Sequence, residues 1–221
     1  MPDDARINEA IVAKLAKKDW LKRLEGAFIP HATEFHSADI KRSFLRFFDV
    51  TSLNVYFIEE FARHKLPHEI VLRTEQHLDS LVARALQQVH QGTSGAAELI
   101  TANGITRLAS FNAEPLRLEA RIFSPIMTSY FELYVKTDHL LRLLHTLRIN
   151  RVIKIEDCDL ERAMLKRHIK RIASAARRLS VGLRERVNAL GSQPAPVSHP
   201  APSDPQGTPG VVAPVDQAIA A

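Results

Sequence analysis

The chain has 221 residues, 45% of them apolar, with a mean hydropathy of −0.13. That builds one fair-sized core or two small ones, and no run approaches the roughly 18 apolar residues that a spanning helix needs. The net charge is +5 and the pI near 9.5, and Cys158 as the one cysteine excludes an intrachain disulfide. A reducing cytoplasm is the simplest home for such a chain.

The start, "MPDDARINEAIVAKL", is acidic and then amphipathic, unlike a secretory leader. Ile7, Ile11, Leu15 and Leu21 predict a helix over Ile7 to Leu24, ending near Gly26. "SADIKRSFLRFF" opens on an N-cap candidate, Ser37, and "TSLNVYFIEEFARHK" restarts the pattern at Thr51 or Ser52. Pro67 suits the first turn of a helix running to a break at Gly92–Gly95. "AAELITANG" then forms a short helix stopped by Asn103–Gly104. Phe44, Phe47, Phe48, Phe57 and Phe61 cluster in this half, a stripe that reads as core.

The stretch "EPLRLEARIFSP" breaks the helical pattern. Leu116, Leu118, Ala120 and Ile122 alternate with Arg117, Glu119 and Arg121, the two-residue period of a half-buried strand. Ser124 and Pro125 then start a helix to about Arg151, whose broad apolar face requires burial on more than one side. "NRVIKIEDCD" is a turn, with Asp157 or Asp159 capping the last helix. In that helix Leu165, Ile169, Ile172, Ala176, Leu179 and Leu183 form a seam that packs antiparallel on the preceding helix. From Leu160 to Leu190 nine Lys or Arg stand against two acids, more than the whole chain's surplus. Such like charges repel at helical spacing, so a polyanion partner is expected, nucleic acid first. From Gly191 the chain carries seven of the twelve prolines and no aromatic residue, the composition of a disordered tail.

Catalytic and metal motifs are absent. There is no GxxxxGK[ST] and no GxGxxG. Pro67 separates His64 from His68, "HEIVL" lacks the second histidine of a zinc-protease helix, and Cys158 sits among Glu156, Asp157 and Asp159, which raise a thiol pKa. The sequence therefore predicts no enzyme, no cofactor, no metal site and no evident small-molecule ligand.

Strand, tight turn, helix, turn and basic helix is the order of ribbon-helix-helix proteins. There two chains pair one strand each, and the ribbon enters the DNA major groove. On that plan Arg117, Glu119 and Arg121 are the base-reading set, and the strand's partner is a second subunit. The other pairing left open is a private hairpin with "ITRLASF", Ile105 to Phe111, which leaves the arginines facing solvent. Phosphate contacts are expected from Arg162, Lys166, Arg167, Lys170, Arg171, Arg177 and Arg178.

"ANGI", "PLRLEARIFSPIMTSYFELYVKTDHLLRLLHTLRINRVI" and "LKRHIKRIASAARRLSVGLRERV", in that order, resemble the AcaB-like family of conjugative plasmid and integrative element proteins. The resemblance covers about Ala96 to Leu190. It implies an atypical ribbon-helix-helix regulator that binds DNA and acts on transfer genes. Both helices here are about twice the length usual in small ribbon-helix-helix domains.

The combined expectation is a mainly α protein: a helical domain with one short β-strand feeding a long helical hairpin, and a disordered C-terminal tail. Residues 1–95 would form an N-terminal helical region, 96–190 the strand-helix-helix DNA-binding core and 191–221 the tail. Its partners would be double-stranded DNA and a second copy of itself, with no membrane. The alternative is a helical scaffold or accessory protein of a conjugation complex, with the basic helix on an acidic protein surface.

Overall fold

The computed structural model describes Leu24 and residues 26–191. The helix expected over Ile7 to Leu24 (Leu24 apart) and the tail expected beyond Gly191 lie outside the described residues. The elements are β1 (Ile29–Phe35), α1 (Ala38–Tyr56), α2 (His68–Ala102), β2 (Leu116–Ile122), α3 (Pro125–Ile149) and α4 (Ile155–Gly191). After α1 the chain widens into one π turn, Phe57–Phe61, and tightens into a 3-10 turn, Ala62–His64. The protein is mainly helical, as expected, with one short strand pair where a single strand was expected.

Ser37 caps α1 by accepting from the Ile40 amide at 3.3 Å. The helix does not restart at Thr51 or Ser52. Both are buried inside it, and the Thr51 hydroxyl donates to the Phe47 carbonyl at 2.7 Å, satisfying itself within the helix. Nor does α2 break at Gly92–Gly95. A Cβ on Gly92 would lie 3.1 Å from Leu140 Cδ2, so this glycine serves the close approach of α2 to α3. The stop at Asn103–Gly104 is where it was expected, Gly104 taking the left-handed φ of 62°. Helix α4 begins at Ile155, ahead of both proposed caps, and Asp157 lies in its first turn, where a carboxylate favours the helix dipole.

β2 keeps its predicted alternation. Leu116, Ala120 and Ile122 are buried and Leu118 half-buried, while Arg117 and Glu119 are exposed and Arg121 partly so. Its partner is neither a second subunit nor Ile105–Phe111. It pairs antiparallel with β1 of the same chain, from Ile29 opposite Ile122 to Phe35 opposite Leu116. Residues 105–110 form no strand. The inner face of β1 is Ile29, His31, Thr33 and Phe35, polar through its middle and with Ile29 itself exposed, so "IPHATEF" shows little apolar alternation. Its Pro30 also reads against a strand, yet proline is tolerated where a two-stranded ribbon has free edges.

The two halves repeat one plan at an offset of 87 residues. Each has a seven-residue strand, one spacer (His36 or Phe123), a capping serine (Ser37 or Ser124) and a helix. In both halves the second helix starts 31 residues past the serine, from 37 to 68 and from 124 to 155. Ser124 accepts from the Met127 amide at 3.3 Å, as Ser37 does from Ile40. Buried positions coincide: Leu78 with Leu165, Val82 with Ile169, Ala85 with Ile172 and Val89 with Ala176. The strands pair centre to centre, Ala32 opposite Glu119, each the fourth residue of seven. Two copies of one strand related by a twofold axis pair in the same way.

Beneath the ribbon lies an aromatic core. Phe44 and Phe131, each seven residues past its serine, meet edge to face with centroids 6.4 Å apart. Phe35 carries the core up to the ribbon, 5.0 Å from Phe44. Phe44 and Phe48 are buried as expected, whereas Phe61 is half exposed. The buried Tyr130 hydroxyl is 3.0 Å from that of Tyr134 and donates to the Ile169 carbonyl at 3.2 Å, fastening α3 to α4. Among the described residues no helix is long and apolar enough to cross a membrane.

Candidate nucleic-acid interface

Period-two alternation gives the ribbon a solvent face of Pro30, Ala32 and Glu34 from β1 and Arg117, Glu119 and Arg121 from β2. Directly across the strands, Arg117 Nε donates to Glu34 Oε2 at 3.1 Å. That pair is open to solvent, with Arg117 80% exposed, and exposed pairs are worth about 0–1 kcal/mol. The guanidinium can therefore exchange its carboxylate for another acceptor at small cost. Arg121 lies over the Phe28 ring, 4.9 Å from its centroid, a contact that does not need its N–H donors. The structure thus brings the three predicted strand residues onto one face and adds Glu34, which the sequence reading missed. Two carboxylates there offset two guanidiniums, so the face is near neutral in sum.

The ribbon is held from below. Asp138, buried in the middle of α3, accepts from the His36 and Ser37 amides at 2.9 Å each. This fixes the corner between β1 and α1. The Lys41 ammonium donates to the Glu114 carbonyl, tying α1 to the segment entering β2.

The basic helix divides into two sets. Arg162 and Lys166 reach Asp39 in the first turn of α1, at 2.7 and 3.2 Å, and Arg162 also pairs with Asp159 at 2.8 Å. Burial would raise the Asp39 carboxyl, but the hydrogen bonds and charges of Arg162 and Lys166 outweigh it and hold the group below the usual carboxylate range. These two cations, expected to meet phosphate, are engaged within the chain. Arg167, Lys170, Arg171, Arg177 and Arg178 are exposed and make no ion pair among the described residues. They lie opposite the buried Leu165, Ile169, Ile172 and Ala176. From Arg167 to Arg178 the stripe runs about 16 Å at 1.5 Å per residue. It begins one residue past Lys166, whose bond to Asp39 places that end near the close of β1.

A cleft of about 760 Å³ opens between α2 and α4, lined in part by Gln88, Gln91, Arg167, Lys170 and Arg171. Cys158 is buried, and burial above all pushes its thiol pKa up; Asp159 adds to this, while Arg148 and Arg162 act against it. The sequence reading had the direction, but named the acids as the cause. Among the described residues no three of His, Cys, Asp and Glu are grouped to hold a metal ion.

No family model and no curated protein matches the sequence. A solved structure does match the fold: the crystal structure of selenomethionine-containing AcaB from uropathogenic E. coli. The fold is AcaB-like. The TM-score is 0.70 at 17% sequence identity, over 76% of this chain and 86% of the AcaB chain. At that identity the likeness to AcaB speaks for the architecture alone.

Proposed function

We propose that this chain is a DNA-binding regulator of a conjugative or integrative mobile element. The observation that carries the reading is the ribbon, two strands wide, whose outer face is open among the described residues except where Phe28 lies against Arg121, and which presents Arg117, Glu119 and Arg121 together. A two-stranded ribbon fits the roughly 12 Å major groove, and arginine can bond guanine O6 and N7 bidentately. The cations of α4 that make no ion pair among the described residues supply the salt-dependent affinity that a near-neutral ribbon lacks. The resemblance to the AcaB-like family supports the mobile-element setting, and the shared fold is consistent with it.

The neutral sum of the ribbon face is also what favours the second reading. In that reading α4 docks on an acidic protein surface of a conjugation complex, and the ribbon is structural. Fluorescence anisotropy separates the two, using duplexes from upstream of the element's own genes beside shuffled duplexes, over a series of salt concentrations. Preference for some native duplexes that persists as salt rises supports the regulator. Equal binding to every duplex leaves only the basic helix, and no binding at low salt moves the function to protein partners.

A further inference from the structure

Resting on the DNA-binding reading, we infer that a single chain is the complete reading unit, and that the site it reads is asymmetric. A strand that lacks a partner needs a second subunit; here β1 supplies the partner within the chain. The ribbon has the centre-to-centre register of a twofold pair, and the strand, capping serine and second helix recur at the same spacing in both halves. One chain therefore holds the strand pair and the four helices that two copies of a strand-helix-helix unit would otherwise assemble.

The halves have kept their cores and diverged in charge. At an offset of 87, Arg117 corresponds to Pro30, Glu119 to Ala32 and Arg121 to Glu34. Both arginines on the ribbon face thus come from β2, and β1 offers only a carboxylate. The second helices diverge in the same sense. α2 carries two arginines against four carboxylates, whereas α4 carries nine cations against five. Arg162 and Lys166 of α4 correspond to Glu75 and Asp79 of α2. A true dimer would present each set twice about its axis and favour an inverted repeat. This chain presents both the guanine-reading donors and the basic stripe once. Base contacts belong to one side of the ribbon's axis, and the other side contributes shape and spacing.

The test uses the unaltered chain. Duplexes are selected from a randomised library, the enriched sequence is trimmed to a single motif, and the complex is weighed by native mass spectrometry. The expected result is one chain per duplex on a motif without inverted symmetry. Its guanine preferences should lie in one block, and that block should relax in Arg117→Ala/Arg121→Ala. Two chains per duplex, or an enriched inverted repeat, overturns the single-chain unit while leaving DNA reading intact. Failure to enrich any sequence overturns the DNA-binding reading itself, and the inference with it.

Discussion

Neutralising Asp39 is the perturbation whose size can be worked out most fully. The side chain is 15% exposed and accepts from Arg162 at 2.7 Å and Lys166 at 3.2 Å. A hydrogen bond to a charged group contributes about 1.5–3 kcal/mol when well shielded. Arg162 is one-third exposed, which reduces its share to about 1–2 kcal/mol. Lys166 is about half exposed and contributes under about 1 kcal/mol. Lost charge at the start of α1 adds roughly 0.3–1 kcal/mol. Asp39→Asn should therefore cost about 2–3 kcal/mol, which at about 2–4 °C per kcal/mol for a chain of this size lowers Tm by about 4–12 °C. The carboxyl is held below its unfolded value, so its contribution is present above the ordinary carboxylate pKa. It is lost as pH falls through the folded value. Thermal unfolding of wild type and Asp39→Asn near neutral pH and in strong acid reads both effects, and the two proteins should converge in acid. A cycle with Arg162→Met should show coupling of about 1–2 kcal/mol. An unchanged Tm at neutral pH, or a difference that persists in acid, refutes the clamp.

Burial pushes the Glu59 carboxyl up to about 7, with a hydrogen bond from Ser124 pulling it down and Glu75 adding repulsion. The neutral form is then the stabilising one: its contribution is complete below the unfolded value near 4.5 and fades as pH rises to about 7. Glu59→Gln should be the more stable protein at pH 8, by on the order of 1–2 kcal/mol after allowance for partial exposure, and similar to wild type at pH 4. Parallel denaturation curves at both pH values would contradict this. On DNA, Lys170→Ala/Arg171→Ala should flatten the dependence of log affinity on log salt by about 0.9 for each phosphate contact removed. Arg162→Ala should lower Tm and leave that slope in place, because its charge already answers Asp39.

The second half of the molecule was largely legible in the sequence. The alternation at Leu116–Ile122, the Ser124–Pro125 start and the seam from Leu165 to Leu183 are local signals of period, cap and φ, and each lies where it was read, although α4 packs more extensively on α1 than on the preceding helix α3, its expected partner. What escaped was non-local. β1 carries few apolar residues and a proline, and its strand character comes from pairing with residues more than 80 positions away. Gly92 reads as a breaker until Leu140 is seen against it. Asp39 gives no local hint that it meets Arg162, 123 residues on. One signal was available: "HS" and "FS", each just past a strand, recur 87 residues apart with matching apolar positions in the helices that follow. Repetition of that kind is the sequence-level trace of the paired ribbon.

The central claim is that Arg117 and Arg121 read bases from the ribbon face. It is tested most directly by the affinity of Arg117→Ala/Arg121→Ala for a selected duplex and for a shuffled one, each across a salt series. A good bidentate contact discriminates by about 1–3 kcal/mol, so the preference should fall by roughly five- to 150-fold per arginine, with the salt slope set by α4 largely retained. An unchanged preference between the two duplexes would contradict the account.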